Sequence, residues 1–373
     1  MGNEQNFSEQ IAHLEYSKNV VHPYSEGVGR ILDLEMHYVS DLEKEGLAGR
    51  NVVWSDGLSE APLFYACDTV PLSLDEMGRL AGSHAYQAAE DAWQLPRETC
   101  SMIKLMLGEY YLRQGKTINR ILYRASTCEP FSIAAELLSR CGYEVEDAAL
   151  WLNGKPLDKE KLRSELKKYN QAIRKVRTIM NLRRRHNTYV KSLPAMFIIL
   201  GSTHYFGRFD AYMEALDLII EEMSLLGEGE YNEDLVRLVW SGGRGMEFGV
   251  YDAVDRAGAA IMGWSIMNTY EVGFDEEKDP LDAFVEYQIG EKTGGSVEDR
   301  YTSVERQLKV ADADGIIQYG YIGCSLGGIM TELQRDHFKK MGVPFLSLEG
   351  SFQVGEASGQ VETRVKAFIE MLS

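Results

Sequence analysis

Cysteine is scarce in this chain: five residues in 373, an odd number and too few for a secreted disulfide framework. A reducing cytoplasm is the expected compartment, and there each thiol is a core filler, a nucleophile or a metal ligand. Positive charge is also in deficit, with 39 Lys and Arg against 57 Asp and Glu and a formal net charge of −18. Such a chain repels polyanions overall, so neither nucleic acid nor an anionic membrane is expected as the main partner. Small anions remain open, because they need only a local basic pocket. Long hydrophobic runs are missing; residues 195–200 fall far short of a bilayer span. The opening residues, Met1-Gly2-Asn3-Glu4-Gln5-Asn6, carry neither a basic-then-apolar signal pattern nor the hydroxyl residue of a myristoylation signal.

Several catalytic signatures are absent too. There is no G-x-x-x-x-G-K-[ST] sequence, so any ATP used is expected to be hydrolysed by another chain. The seven scattered histidines form no H-E-x-x-H or other metal spacing. The turn from Gly243 to Gly249 reads G-x-G-x-x-x-G, one residue too long for a dinucleotide fingerprint, and Met262-Gly263-Trp264 stands where its acidic residue belongs.

What the chain does have is a pattern that occurs twice. Val53-Trp54-Ser55 is followed by a helix-like stretch and Thr69-Val70-Pro71. Val239-Trp240-Ser241 is followed by a helix over 246–256 and an apolar run over 259–264. A short β-branched run, a small-residue turn, an amphipathic helix and a second apolar run predict a βαβ unit with parallel strands. A second echo matches the first: Cys128 and Cys324 each stand seven residues after an isoleucine, Ile121 and Ile317, at a strand end, with helices predicted over 131–139 and 329–340. The expected fold is α/β, with two similar Rossmann- or flavodoxin-like domains of parallel strands. Their expected bounds are 1–155, with an N-terminal helical extension, and 231–373, joined by a helical bridge over 156–230. In the bridge, Leu162, Leu166, Tyr169, Ile173, Val176 and Met180 follow a 4-3-4-3-4 spacing, one apolar seam on a rod with ten basic residues between Lys161 and Arg185. Those charges are a solvated face or a docking surface for an acidic partner or phosphates.

Three cysteines stand apart from the other two. Cys128 and Cys324 end equivalent strands, and ligands of open parallel sheets collect beyond the carboxyl ends of strands. Cys100 precedes an apolar helical stretch over 102–112, and a thiol at a helix start favours its thiolate. Cys67 lies in an apolar stretch and Cys141 follows a helix end, so both read as packing thiols. Three converging thiolates can hold zinc, an iron–sulfur cluster or nothing; three ligands on a four-iron cubane would leave one iron open to substrate.

With these cysteines placed, the chain resembles the 2-hydroxyacyl-CoA dehydratase and benzoyl-CoA reductase family, most nearly its larger, alpha-type subunit. The resemblance runs from about residue 45 to the C-terminus. It rests on Val53-Trp54-Ser55, Ser126-Thr127-Cys128, Tyr169-Asn170, Gly323-Cys324, Thr331-Glu332-Leu333-Gln334-Arg335, Gly342-Val343-Pro344 and the tail from Gly359 to Phe368.

The resemblance implies a [4Fe-4S] cluster bound by Cys100, Cys128 and Cys324 in the interdomain cleft. It also implies a heterodimer with a smaller homologous subunit, an ATP-hydrolysing iron–sulfur activator that injects single electrons, and an acyl-CoA substrate. The implied reaction is dehydration of an (R)-2-hydroxyacyl-CoA. One electron on the thioester carbonyl gives a ketyl radical that expels the α-hydroxyl and acidifies the β-proton.

The chain departs from the dehydratase pattern in four places. Gly57 replaces a second hydroxyl residue, and Ser73-Leu74-Asp75-Glu76 replaces a Y-P-E-N stretch. Leu348-Glu349-Gly350-Ser351 replaces an acidic turn, and Ser325-Leu326-Gly327-Gly328 lacks a basic residue. Asp75 or Glu76 is the candidate for a catalytic carboxylate near the cluster. A benzoyl-CoA-type reductase subunit and a non-catalytic scaffold or electron-relay homologue are the alternative readings.

Overall fold

Trp54 and Trp240 occupy matching positions at the centres of two separate sheets. In the computed structural model, which describes residues 8–373 apart from 56–60, 75, 77–80, 124–127, 155–156, 187–188, 228–232, 244–246, 266–272, 291–295 and 353, Trp54 pairs with Ile121 and Trp240 pairs with Ile317. The two halves of the sequence pattern therefore meet in the same register in both domains.

The chain opens with α1 (Ser8–Tyr16), a π-helical turn (Ser17–Val21) and α2 (Glu26–Leu47). The first domain then runs β1 (Val52–Ser55), α3 (Ala61–Ala66), β2 (Val70–Ser73), α4 (His84–Trp93), α5 (Ser101–Leu112), β3 (Arg120–Tyr123), α6 (Glu129–Arg140), β4 (Glu144–Asp147) and α7 (Ala148–Asn153). Three bridging helices follow: α8 (Lys159–Arg183), α9 (Ser192–His204) and α10 (Phe209–Ser224). The second domain runs β5 (Val236–Gly242), α11 (Phe248–Arg256), β6 (Ala259–Trp264), α12 (Pro280–Gly290), α13 (Val297–Ala311), β7 (Gly315–Tyr321), α14 (Ser325–Lys340), β8 (Phe345–Gly350) and α15 (Gly359–Leu372).

Both sheets are parallel and have equivalent strand orders, β2-β1-β3-β4 and β6-β5-β7-β8, so each is flavodoxin-like. β1, β2 and β6 are buried along their whole length, as a parallel strand covered by helices on both faces must be. Strands β4 and β8 lie at the sheet edges and are half-exposed, which is why their sequences lack a long apolar run.

The seam of α8 is buried at all six predicted positions. Burying a Leu, Ile or Val side chain contributes about 1.5–3 kcal/mol, so the seam anchors the helix firmly. Asp158 starts α8 by accepting from the amides of Glu160 and Lys161 at 2.9 and 3.2 Å. Much of its basic face is tied to acids of the same chain: Lys161 to Asp68 of the first domain at 2.6 Å, and Lys159 and Arg174 to Asp279 and Glu276 of the second at 2.7 and 3.3 Å. The rod is thus a strap across both domains, and the docking-surface reading loses those charges. Arg183 is wholly buried, donating to the carbonyls of Val190 at 2.9 Å and Ile261 at 3.0 Å. The apolar run at 195–200 is the fully buried middle of α9. No helix among the described residues is long and apolar enough to cross a membrane.

Candidate metal centre

Each of the three selected cysteines is the N-cap of a helix: Cys100 of α5, Cys128 of α6 after β3, and Cys324 of α14 after β7. The first turn of a helix presents unpaired amides and a partial positive charge, the environment that favours a thiolate. At Cys324 the sulfur accepts a hydrogen bond from the Gly327 amide at 3.2 Å. The other two cysteines lie at the opposite kind of end, Cys141 at the C-cap of α6 and Cys67 just past α3, where carbonyls crowd and a thiolate is disfavoured. Both pack against apolar side chains, as predicted for packing thiols.

The two domains touch at these caps. The Ser101 amide donates to the Ile322 carbonyl at 2.9 Å, and the Phe352 amide donates to Ser101 Oγ at 3.2 Å. Tyr86 and Ser351 share a hydrogen bond of 2.5 Å between their hydroxyls. Gly323 makes the approach possible. It holds φ at +76°, and a Cβ there would stand 2.4 Å from the Glu98 carbonyl oxygen.

As a result Cys100 and Cys324 come within hydrogen-bond contact, and that bond, followed by burial, pushes the Cys100 thiol well above its usual range. The amides of Ile103 and Met102 oppose the rise. Burial raises the Cys128 thiol; the Phe131 amide opposes this, and Cys128 also feels the charge of Cys324. Sulfurs this close cannot all ionise unless a cation stands among them, and this is the repulsion a bound metal relieves. The donor set therefore fits an iron–sulfur cluster: soft thiolates, amides aimed at sulfur and a partly buried cleft. Among the described residues no three His, Cys, Asp or Glu side chains gather tightly enough for a single metal ion.

The carboxylate candidates fare differently. Asp75 lies outside the described residues, as do Gly57, Ser126 and Thr127. Glu76 follows β2 at the carboxyl edge of the first sheet and is buried, and its charge bears on the hydroxyl of Tyr38. Tyr38 is in turn stacked on His204 at 4.5 Å. A second carboxyl, unmarked by the sequence reading, stands at the same edge of the other sheet. Glu247 caps α11, and burial raises its carboxyl against the pull of the Ser351 amide and the Tyr319 hydroxyl. It belongs to the Gly243–Gly249 turn, whose glycine spacing points in the sequence only to a near-miss of a nucleotide motif.

Other pieces of the family resemblance now have structural reasons. Asn170 grips the second domain, donating to the Phe274 carbonyl and accepting from the Phe274 amide, both at 2.8 Å. The hydroxyls of Tyr169 and Tyr287 share a 2.8 Å hydrogen bond beside it. Arg364 of the tail helix donates to the Ser347 carbonyl on β8 at 2.6 Å.

A family model described as 2-hydroxyglutaryl-CoA dehydratase, D-component, matches residues 144–372, well over half of the chain. No curated protein matches it. The matched span includes the bridging strap, the whole second sheet and Cys324, and the first sheet repeats the second strand for strand. The chain belongs to the 2-hydroxyglutaryl-CoA dehydratase D-component family.

Proposed function

We propose that this chain is the iron–sulfur subunit of an ATP-dependently activated (R)-2-hydroxyacyl-CoA dehydratase, with Cys100, Cys128 and Cys324 as the three protein ligands of a [4Fe-4S] cluster. The observation that carries this reading is that three helix-capping thiols, from distant stretches of both domains, face one interdomain contact. A cluster bound there supplies one-electron transfer and a Lewis-acidic open iron. The chain's own contribution is to hold and shield it. The helix N-termini of α5, α6 and α14 stabilise the thiolates. The bonds of Ser101 to Ile322 and of Tyr86 to Ser351 hold the two domains together beside them. Glu76, buried at the carboxyl edge of the first sheet, is the carboxylate that removes the substrate's β-proton. Electrons come from a separate ATP-hydrolysing iron–sulfur activator, and a smaller homologous subunit completes a cytoplasmic heterodimer. The division into an N-terminal domain over 1–155, a bridge over 156–230 and a C-terminal domain over 231–373 belongs to the same proposal.

Anaerobic iron and sulfide analysis with EPR tests the cluster. About four irons per chain are expected, lost in Cys100→Ser, Cys128→Ser and Cys324→Ser but kept in Cys67→Ser and Cys141→Ser. Stoichiometric zinc, or iron unaffected by the three substitutions, overturns the reading. Turnover with the activator then decides the reaction. Dehydration of (R)-2-hydroxyacyl-CoA thioesters is the expected outcome, and ring reduction of benzoyl-CoA in its place assigns the chain to the reductases.

A further inference from the structure

Basic side chains are the minority in this chain, and many are paired with carboxylates. Arg300, on the second turn of α13, is not: among the described residues no carboxylate or carbonyl bonds its guanidinium. It lines a cavity of about 90 Å³ together with Ser241, Ser265, Ser303 and Gln334. Ser241 and Ser265 stand at the carboxyl ends of β5 and β6, the edge of an open parallel sheet where ligands bind. The three serines and Gln334 are all buried while Arg300 is half-buried, so the cavity opens at the guanidinium and reaches into the domain, with Gly242 and Val304 completing its lining. Two links are internal, from Ser265 Oγ to Ser241 Oγ at 3.4 Å and from Ser303 Oγ to the Ser265 carbonyl at 3.1 Å, so the donors left for a ligand are Arg300, Gln334 and the Ser241 hydroxyl. The acid nearest Arg300 in sequence is engaged elsewhere, since Asp299 accepts from the Ser296 amide and hydroxyl at 3.0 and 3.1 Å in the cap of α13.

An unpaired guanidinium facing hydroxyls and a carboxamide, with no carboxylate among the described residues of the lining, is the chemistry of an oxyanion site. The volume suits one tetrahedral phosphate and excludes a nucleobase. The position selects the ligand. Gln334 lies on the helix that Cys324 caps, ten residues further along, a rise of about 15 Å. That is the span of an extended pantetheine arm, which separates the thioester of an acyl-CoA from its phosphates.

We propose that Arg300, Ser241, Ser265, Ser303 and Gln334 form the subsite for a phosphate of the coenzyme A thioester, holding it while the acyl end reaches the cysteine-lined cleft. The choice of ligand rests on the acyl-CoA reading above; the oxyanion chemistry does not.

Calorimetric titration of the anaerobically purified chain with coenzyme A, dephospho-coenzyme A, pantetheine, inorganic phosphate and glutarate tests the proposal, with iron content measured on each sample. Arg300→Ala is expected to weaken coenzyme A about tenfold or more, to leave pantetheine binding unchanged, and to keep both iron content and melting temperature. Arg300→Lys should recover part of the loss. Equal weakening of dephospho-coenzyme A assigns the pyrophosphate to the site, and a selective loss of coenzyme A assigns the 3′-phosphate. Coenzyme A affinity indifferent to Arg300, or glutarate binding through Arg300 while the phosphate ligands ignore it, overturns the proposal. A chain without iron that still binds coenzyme A through Arg300 rejects the cluster and keeps the subsite; a full cluster with affinity blind to Arg300 does the reverse.

Discussion

The amide of Ser101 donates to the carbonyl of Ile322 at 2.9 Å, joining the helix start that carries Cys100 to the strand end that carries Cys324. Two thiols far apart in sequence are thereby set in contact by backbone, and side-chain packing around Phe352, Leu105 and Ala85 holds the joint. Backbone pinning of this kind leaves little freedom to the sulfurs, which is how a cluster site is kept in shape.

Gly323→Ala is expected to damage this joint. Its left-handed φ costs about 1–2 kcal/mol for an L-residue, and the new methyl would also meet the Glu98 carbonyl at 2.4 Å. Gly342→Ala is the matched control, with φ at +74° and nothing within 4 Å of the added Cβ. Chemical denaturation should show the larger loss at Gly323, and only that variant should lose iron. Equal losses would mean that the domain contact is not what holds the cysteines together.

Glu76→Gln separates proton transfer from cluster assembly. Turnover should fall by about 10²–10⁴-fold, the usual contribution of a positioned base, with iron content and EPR signal unchanged. A variant as active as the wild type assigns the base elsewhere, and Glu247 is then the next carboxyl to replace.

The pH profile of stability carries a signature of His22. Burial first, then the Lys191 and Arg183 charges, lower this imidazole to about 4 from 6.5, and among the described residues neither ring nitrogen has a hydrogen-bond partner. Between those values the unfolded chain binds the proton that the folded chain refuses, so stability is lost as pH falls through the window and is complete above 6.5. Asp255 works the other way. Burial, against the Ser192 hydrogen bonds, pushes it up to about 6 from 3.8, so its contribution is lost as pH rises. The difference between His22→Leu and wild type isolates the histidine. Urea unfolding should show the variant gaining on wild type, by on the order of 3 kcal/mol, as pH falls from neutrality to about 4. A pH-independent difference would refute the assignment.

Arg183→Ala leaves the carbonyls of Val190 and Ile261 buried without their donor. A destabilisation of about 2–4 kcal/mol is expected, measured by guanidinium unfolding. Arg183→Lys should recover little of it, because a lysine cannot span two carbonyls as a planar fork does.

The repeat, the strands that carry Trp54 and Trp240, the seam of α8 and the cysteines at helix starts are all legible in the order of residues. Those features are local: they follow from side-chain periodicity of two or four residues and from the chemistry of a turn, and neighbours in sequence are enough to reveal them. Tertiary structure alone decided the rest. The contact of Cys100 with Cys324, the pairing of the basic strap with Asp68 and Asp279, and the burial of Arg183 all join residues remote along the chain. An arginine reads identically in sequence whether it faces water, a carboxylate or an empty recess. Only the packing of β5, β6, α13 and α14 leaves Arg300 facing a pocket of hydroxyls while Arg183 serves as a structural pin.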